Sequence, residues 1–357
     1  MKRREAVDKI KLAIIGYGGM GHWHRVRMAL SGYIDVVGAY DIDPEARKRA
    51  TLWRLKAYES AGELMADKEV EAVLIATPND SHEYYTLMAA AAKKHIICEK
   101  PVTLGSESLQ RMIDAANQNG VIFTVHQNRR WDGDYLKAKY IMNCPEMGKV
   151  YRIISDVSSS HGLPGAWRKD KSKGGGMLWD WGVHLIDQLI NAIDSPVVAV
   201  SCRADFVYGF DVDDGIDMFL DFADGTEGHI VINTNDFKPY PRWKIFGTNG
   251  TGIVKSWNSR GKMVIVRERF DRKNKGIDAG NGFTKTMADR SKSTIRTVRL
   301  KKKDAPPRKP AFYEGFYNTV RKGEPLLVSH ESVMRCMKIM EAGFKSIAEK
   351  NVIKTEI

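Results

Sequence analysis

Cysteine is scarce, and no two of the four, Cys98, Cys144, Cys202 and Cys336, stand in Cys-x-x-Cys spacing. That pattern argues against a disulfide framework or a zinc site and fits reduced thiols in a cytoplasm. No uninterrupted apolar run approaches the roughly 20 residues of a membrane-spanning helix, so no membrane partner is expected. Met1–Arg4 is basic, but the apolar run after it is only the short stretch before Gly16, and no targeting segment is expected. Internal repeats and low-complexity linkers are missing as well.

What is there suffices for a sizeable core: 357 residues, 43% of them hydrophobic, with a length that suggests two domains. The charge is lopsided at a formal +12, and much of the excess lies in Asp289–Pro310, DRSKSTIRTVRLKKKDAPPRKP. This segment has no interleaved aromatics and no recognised binding motif. It reads as a solvated loop and strand face, and no nucleic-acid partner is expected.

The chain is organised around Lys11–Asp41, which reads as strand, glycine turn, helix and second strand. Leu12–Ile15 is an apolar run of the kind a strand buried on both faces requires, and Gly16-x-Gly18-x-x-Gly21 follows at once. Gly16 allows the tight turn, Gly18 lets the backbone approach a pyrophosphate, and Gly21 lets helix pack on strand, with Gly19 and Met20 completing the cradle. Val36–Tyr40 reads as the second strand, and Asp41 closes it 25 residues after Gly16. A carboxylate there accepts from the adenosine ribose hydroxyls and repels a 2′-phosphate, favouring NAD over NADP. Arg47 and Lys48 stand nearby.

Further along, Pro44–Arg54 reads as a helix capped by Asp43, Val70–Ala76 as a strand, and His82–Lys94 as a helix capped by Asp80 or Ser81. His95–Cys98 and Val121–Val125 complete the strands, with a helix Ser106–Asn119 stopped by Gly120. The alternation predicts a doubly wound parallel sheet, an α/β domain with helices on both faces, over residues 1–128. Past His126 the pattern changes to strands at Tyr151–Ser160, Val197–Ala204, Met218–Phe222, Thr226–Asn233, Arg242–Gly247 and Gly252–Trp257. Turn signals such as Ala223-Asp224-Gly225-Thr226 and Gly247-Thr248-Asn249-Gly250 separate them, and the strands look antiparallel. Only Met177–Ala192 and Ser329–Glu349 read as helices there. An α+β domain with a large open antiparallel sheet is expected over 129–357, with Asp271–Lys301 as an excursion.

Two constellations carry chemistry. Glu99-Lys100-Pro101 ends a parallel strand, the edge where open α/β sheets bind ligands. A lysine facing an oxidised nicotinamide has a like charge beside it and is partly desolvated, which lowers its pKa and makes it a usable proton donor or acceptor. The bond to Pro101 is a candidate for cis. Read plainly, Glu99 and Lys100 are also a surface ion pair. In Gly174-Gly175-Gly176-Met177-Leu178-Trp179-Asp180-Trp181-Gly182-Val183-His184-Leu185-Ile186-Asp187, Asp180, His184 and Asp187 share one helical face, while Trp179, Val183, Ile186 and Ile190 line another. A polar stripe on a buried helix should face a polar ligand. His184 suits removal of a hydroxyl proton, and Asp180 suits orienting it or binding a neighbouring hydroxyl. A satisfied core Asp–His pair and a metal site are the competing readings; the metal lacks identifiable further ligands, and none is expected.

Taken together, these motifs with Ala76-Thr77-Pro78-Asn79 and His82, Asn128-Arg129-Arg130, and Trp167-Arg168 resemble the Gfo/Idh/MocA oxidoreductases, from about Lys11 to Ile347. That family includes glucose–fructose oxidoreductase and inositol dehydrogenase. The resemblance implies a Rossmann domain, then an α+β domain whose open sheet often forms the subunit interface, hence a homo-oligomer. It implies that Lys100, Asp180 and His184 are catalytic, and that Thr77, Pro78, Asn79, His82, Glu99, Lys100 and Gln127 line the cofactor with the glycine turn and Asp41. Arg130 and Trp167 match substrate or cofactor contacts. The expected activity is NAD-dependent oxidation of a secondary alcohol of a sugar, glycoside or cyclic polyol, with the glucoside 3-hydroxyl as one variant. A glycosidase or sugar–sugar oxidoreductase with tightly bound, recycled NAD and a nonenzymatic NAD- or sugar-sensing regulator are the alternatives.

Overall fold

A computed structural model describes residues 7–163, 165, 167–258, 260–267, 277–285, 294–301, 304 and 311–357. Most of the basic segment Asp289–Pro310 and much of Asp271–Lys301 lie outside the described residues. No described helix is long and apolar enough to cross a membrane.

The first half alternates strand and helix: β1 (Ile10–Ile15), α1 (Gly19–Ser31), β2 (Ile34–Tyr40), α2 (Pro44–Thr51), β3 (Lys56–Ala57), α3 (Ala61–Ala66), β4 (Ala72–Ile75), α4 (His82–Ala91), β5 (His95–Cys98), α5 (Ser106–Asn119) and β6 (Phe123–Val125). The strands form one parallel sheet in the order β3-β2-β1-β4-β5-β6, whose reversal between β1 and β4 makes the ligand-binding crevice at the strands' carboxyl ends. Its strands are apolar because both faces are covered: Leu12–Ile15 and Ala72–Ile75 are fully buried. Residues 128–131 then form a 3₁₀ turn before α6 (Gly133–Met142).

The second half is built on β7 (Val150–Ser158), β8 (Val197–Asp205), β9 (Gly215–Phe222), β10 (Glu227–Asn233), β11 (Trp243–Gly247), β12 (Gly250–Val254) and β13 (Lys262–Val266), with β14 (Ile277–Gly280) and β15 (Phe283–Lys285) as a separate hairpin, then β16 (Ile295–Arg299) and, after the last helix, β17 (Ile353–Lys354). Nine of these strands make one sheet in the order β16-β13-β12-β11-β7-β10-β9-β8-β17. Both hairpin signals hold, β9 to β10 through Gly225 at φ +83° and β11 to β12 through residues 248 and 249. The helices α7 (Val183–Ile190) and α9 (His330–Glu349) cover one face, and α8 (Ala311–Lys322) reaches back to α1.

Several expectations are corrected. β7 and β10 pair parallel, because the chain from β7 crosses through α7, β8 and β9 before β10 returns beside it. Three further helices exist, α3, α6 and α8. Ser60 caps α3, its Oγ accepting from Glu63 N at 3.1 Å. The second helix stops at Thr51, and Arg54 turns to φ +60°. Neither Asp80 nor Ser81 caps α4: a 3₁₀ turn, Asn79–Ser81, precedes it, and the Ser81 hydroxyl bonds Thr77 Oγ1 and Pro78 O. Trp257 falls beyond β12.

One buried ion pair ties the turn after β6 to the helices of the second half. Arg130, in the turn after β6, donates Nε to Asp187 Oδ2 at 2.8 Å and Nη2 to Oδ1 at 2.5 Å, while Nη2 also reaches Ser332 Oγ on α9. Burial pushes the Asp187 carboxyl up, and the guanidinium opposes this. Arg130→Met strands an unpaired buried anion and is expected to cost about 3–5 kcal/mol in denaturant unfolding, whereas adding Asp187→Leu should restore most of that loss.

Candidate active site

The glycine turn shows which positions need glycine for the fold and which leave room. A Cβ on Gly16, at φ +90°, would sit 2.6 Å from Ala76 O, and one on Gly21 would sit 2.2 Å from Gly16 O. A Cβ on Gly18 or Gly19 would meet nothing within 4 Å. The amino end of α1 has no side-chain cap and no acidic residue in its first turn, so its free N–H groups and positive dipole end are open to an anion. A cavity of about 360 Å³ lies there, lined by Tyr17, Gly18, Gly19, His22, Arg49, Leu52 and Trp53. Met20 is exposed beside it. Asp41 is fixed by backbone donors, Oδ2 from Tyr17 N at 2.7 Å and Oδ1 from Asp43 N at 2.9 Å. Each oxygen keeps a lone pair for a ribose hydroxyl. These features fit a dinucleotide.

The loops after β4 and β5 are locked to each other. His82, fully buried, places Nε2 2.9 Å from Thr77 O and Nδ1 3.0 Å from Pro101 O. Asn79 Nδ2 donates to the carbonyls of Lys173 and Gly174, fastening the first loop, which carries Pro78, to the glycine run of the second half. The Lys100–Pro101 bond is cis. Gln127 is buried with its Oε1 unpartnered.

Lys100 crosses between the halves. Its Nζ donates to Asp180 O at 2.9 Å and to Asp180 Oδ1 at 3.0 Å, and Arg168 Nε donates to Oδ2 at 2.8 Å. Burial alone would raise the Asp180 carboxyl, but the Lys100 and Arg168 charges outweigh it and hold it low. His184 lies on the following helical turn, buried, with Nδ1 lacking any partner. Burial, then the Lys100 and Arg129 charges, hold its imidazole well below the ordinary range.

The helix carrying these residues is not a continuous α-helix. Leu178–Gly182 form a π turn, opened by Asp213, whose Oδ2 accepts from Leu178 N at 2.7 Å, and the α-helix starts at Val183. The wider turn carries Asp180; His184 and Asp187 lie on the α-helix after it, and Asp187 pairs with Arg130. Arg130 is thereby held by Asp187 and Ser332. Trp167 is half-buried under the Arg168 guanidinium, 4.4 Å from its ring centre. Trp179 packs on Phe344, while Trp181 lies edge-on to His184 and carries Arg129 at 4.2 Å.

Arg168, His24 and His126 complete this region, and no sequence signal marks a role for any of them. Arg168 stood in the Trp167-Arg168 motif without an indicated partner. His24 and His126 lie 75 and 27 residues from the Glu99 they contact, and no local spacing signals either.

Comparison with known proteins decides the family. The profile described as "Oxidoreductase family, NAD-binding Rossmann fold" matches residues 10–127, and the Gfo/Idh/MocA C-terminal domain matches 135–252. The chain belongs to the Gfo/Idh/MocA oxidoreductases. Among solved structures, an NAD-binding protein from Listeria innocua is 38% identical, with 98% of this chain and 97% of that one covered at a TM-score of 0.88. This Gfo/Idh/MocA protein is also 25% identical to a scyllo-inositol 2-dehydrogenase (NADP(+)) of Bacillus subtilis, over 100% of this chain and 99% of that one. A glucose-6-phosphate 3-dehydrogenase of Bacillus subtilis is 30% identical over 54% of this chain and 57% of its own length.

The lowered His184 makes a pH prediction. The unfolded chain takes up this proton near the ordinary value of about 6.5 and the folded chain only at lower pH, so its stabilising contribution is present above about pH 6.5 and is lost below it. His24, His82 and His95, also lowered by burial, act in the same direction. The fall in melting temperature between about pH 7 and about pH 5 should therefore be shallower in His184→Gln than in the wild type.

Proposed function

We propose that this oxidoreductase is an NAD-preferring dehydrogenase of a secondary alcohol on a cyclic polyol, sugar or glycoside, with the glucoside 3-hydroxyl as one candidate. The single observation that carries the reading is the Lys100–Asp180 contact, which brings the edge of a dinucleotide-binding sheet to the turn before a neutral, partnerless histidine. The relatives named for inositol and glucose 6-phosphate support the substrate class.

In this reading residues 1–128 bind the cofactor and 129–357 the substrate. A bound dinucleotide would supply the acceptor for the carbon-bound hydride. The glycine turn through Gly16, Gly18, Gly19, Met20 and Gly21 holds its pyrophosphate, Asp41 its adenosine ribose, and Thr77, Pro78, Asn79, His82, Glu99, Lys100 and Gln127 line the remainder. His184 takes the hydroxyl proton. Lys100, ion-paired to Asp180, steadies the negative charge that builds on that oxygen, and Asp180 accepts from a neighbouring hydroxyl. Trp167 and Arg130 complete the substrate side, Arg130 by fixing the helix through Asp187. In this reading subunits pair on the large sheet through Ile154, Phe219, Val231, Ile253 and Val264, which are all partly exposed.

Reduced-nucleotide absorbance with inositols, free sugars and glycosides tests the reading. Lys100→Ala and His184→Ala should each lower kcat/KM by about 10²–10⁴-fold. Wild-type turnover in both would remove the assignment. Asp41→Ser should raise NADP⁺ use relative to NAD⁺; an unchanged ratio would remove Asp41 from cofactor choice.

A further inference from the structure

The proton and hydride chemistry above leaves one buried cluster unused. Glu99 follows β5 directly, and its side chain turns inward. Its Oε1 lies 2.6 Å from His24 Nε2 on α1 and 2.8 Å from His126 Nδ1 just after β6, and Oε2 accepts from Lys100 N at 3.1 Å. His24 Nδ1 in turn meets the Tyr313 hydroxyl of α8 at 2.8 Å. One arrangement of hydrogens, assigned from the network, satisfies the chain: Tyr313 O–H donates to His24 Nδ1, and His24 Nε2–H and His126 Nδ1–H both donate to Glu99. His24 is wholly buried, Glu99 and His126 nearly so, and the rings of Trp23, Phe312 and Tyr313 wall the pair of imidazoles.

Two histidines and a carboxylate with ligand atoms within 4.8 Å of one another have the composition of a metal site. The distances favour hydrogen bonds. Two ligands bonded to one ion at roughly 2.1 Å stand about 3 Å or more apart, whereas both nitrogens lie within 2.8 Å of a single oxygen.

Burial by itself would raise the Glu99 carboxyl; the electrostatic attraction of His126, the two imidazole hydrogen bonds and the attraction of His24 outweigh it and hold the group well below the usual range. Burial keeps His24 below its ordinary range. The negative charge of Glu99 acts on His82 of α4, His184 of α7, Tyr313 of α8 and the adjoining Cys98. It therefore acts across both halves of the site.

We propose that Glu99, clasped from behind by His24 and His126, is a fixed counter-charge that favours the oxidised, cationic nicotinamide over the reduced, neutral ring. The proposal rests on the reading of the Lys100 edge as the nicotinamide end. An anion at that edge stabilises only the charged form of the ring, and the surrounding rings screen it less than water would. Because His24, His126 and Lys100 N already engage both carboxylate oxygens, Glu99 acts through its charge and is a positioning residue. Its effect falls on the bound equilibrium, displacing it toward alcohol and oxidised cofactor.

The test is binding to the full chain, which needs no turnover. Tryptophan quenching and calorimetry would give Kd for NAD⁺, NADH, NADP⁺ and NADPH, and the oxidised-to-reduced ratio is read on whichever couple binds more tightly. Glu99→Gln should weaken the oxidised form at least tenfold relative to the reduced one. Should that variant fail to fold, Glu99→Asn against Glu99→Asp repeats the charge contrast in a cavity with room for a water, and only the Asn variant should lose the preference. Equal weakening of both forms, or a ratio within twofold of the wild type in the neutral variants, would overturn the counter-charge while leaving the dehydrogenase reading intact. A shifted ratio together with no turnover of any alcohol would leave the counter-charge standing and overturn that reading instead. Wild-type binding of neither form would overturn both.

Discussion

Everything at this site depends on a lysine of one sheet finding a carboxylate of the other half. Lys100 and Asp180 are both largely buried, and taking either charge from water alone would cost several kcal/mol. The pair persists because its geometry is good: Lys100 Nζ bonds both the carboxylate and the carbonyl of Asp180, and Arg168 satisfies the second oxygen. A buried pair of this kind contributes less to stability than to registry. It fixes where the β5 edge lies along the α7 segment, and hence where His184 stands relative to the sheet.

That registry explains the loop architecture around it. The segment before α7 presents Asp180 to Lys100 while Val183, Leu185, Ile186 and Leu189 fill the core. It enters as a π turn, and Asp213 supplies the acceptor that its first N–H needs. Gly176, at φ +102°, would place a Cβ 2.2 Å from Asp213 Oδ1, so the glycine run is the condition for that cap.

What could be read from the chain followed from how far each signal reaches. Gly16, Gly21, Asp43 and Gly120 act within a few residues of themselves, and the elements they bound are present, although Asp43 begins a helix three residues shorter than expected. The Lys100 and Asp180 motifs were legible as motifs because each is contiguous. The missed helix α6 scatters Tyr135, Leu136, Ala138, Tyr140 and Ile141 around its circumference and shows no apolar stripe; α8 is rich in aromatics that also suit strands. Ser60 and Glu63 did signal α3 through the spacing of a capping box. The parallel pairing of β7 with β10, the π turn and the partners of Arg130 are set by contacts between residues dozens of positions apart, which neither periodicity nor propensity encodes.

The formal charge of +12 makes a final contrast. With 56 basic and 44 acidic residues, the chain has more cations than carboxylates to pair them. At the site the cations are engaged one by one, Lys100 and Arg168 on Asp180 and Arg130 on Asp187, while burial holds His24 and His184 below the ordinary imidazole range. Glu99 is the carboxylate there that faces imidazoles in place of a lysine or arginine side chain. A neutral hydrogen-bond donor steadies a carboxylate without cancelling its charge, and this difference between His24 and a lysine at the same place leaves a field able to act beyond the cluster.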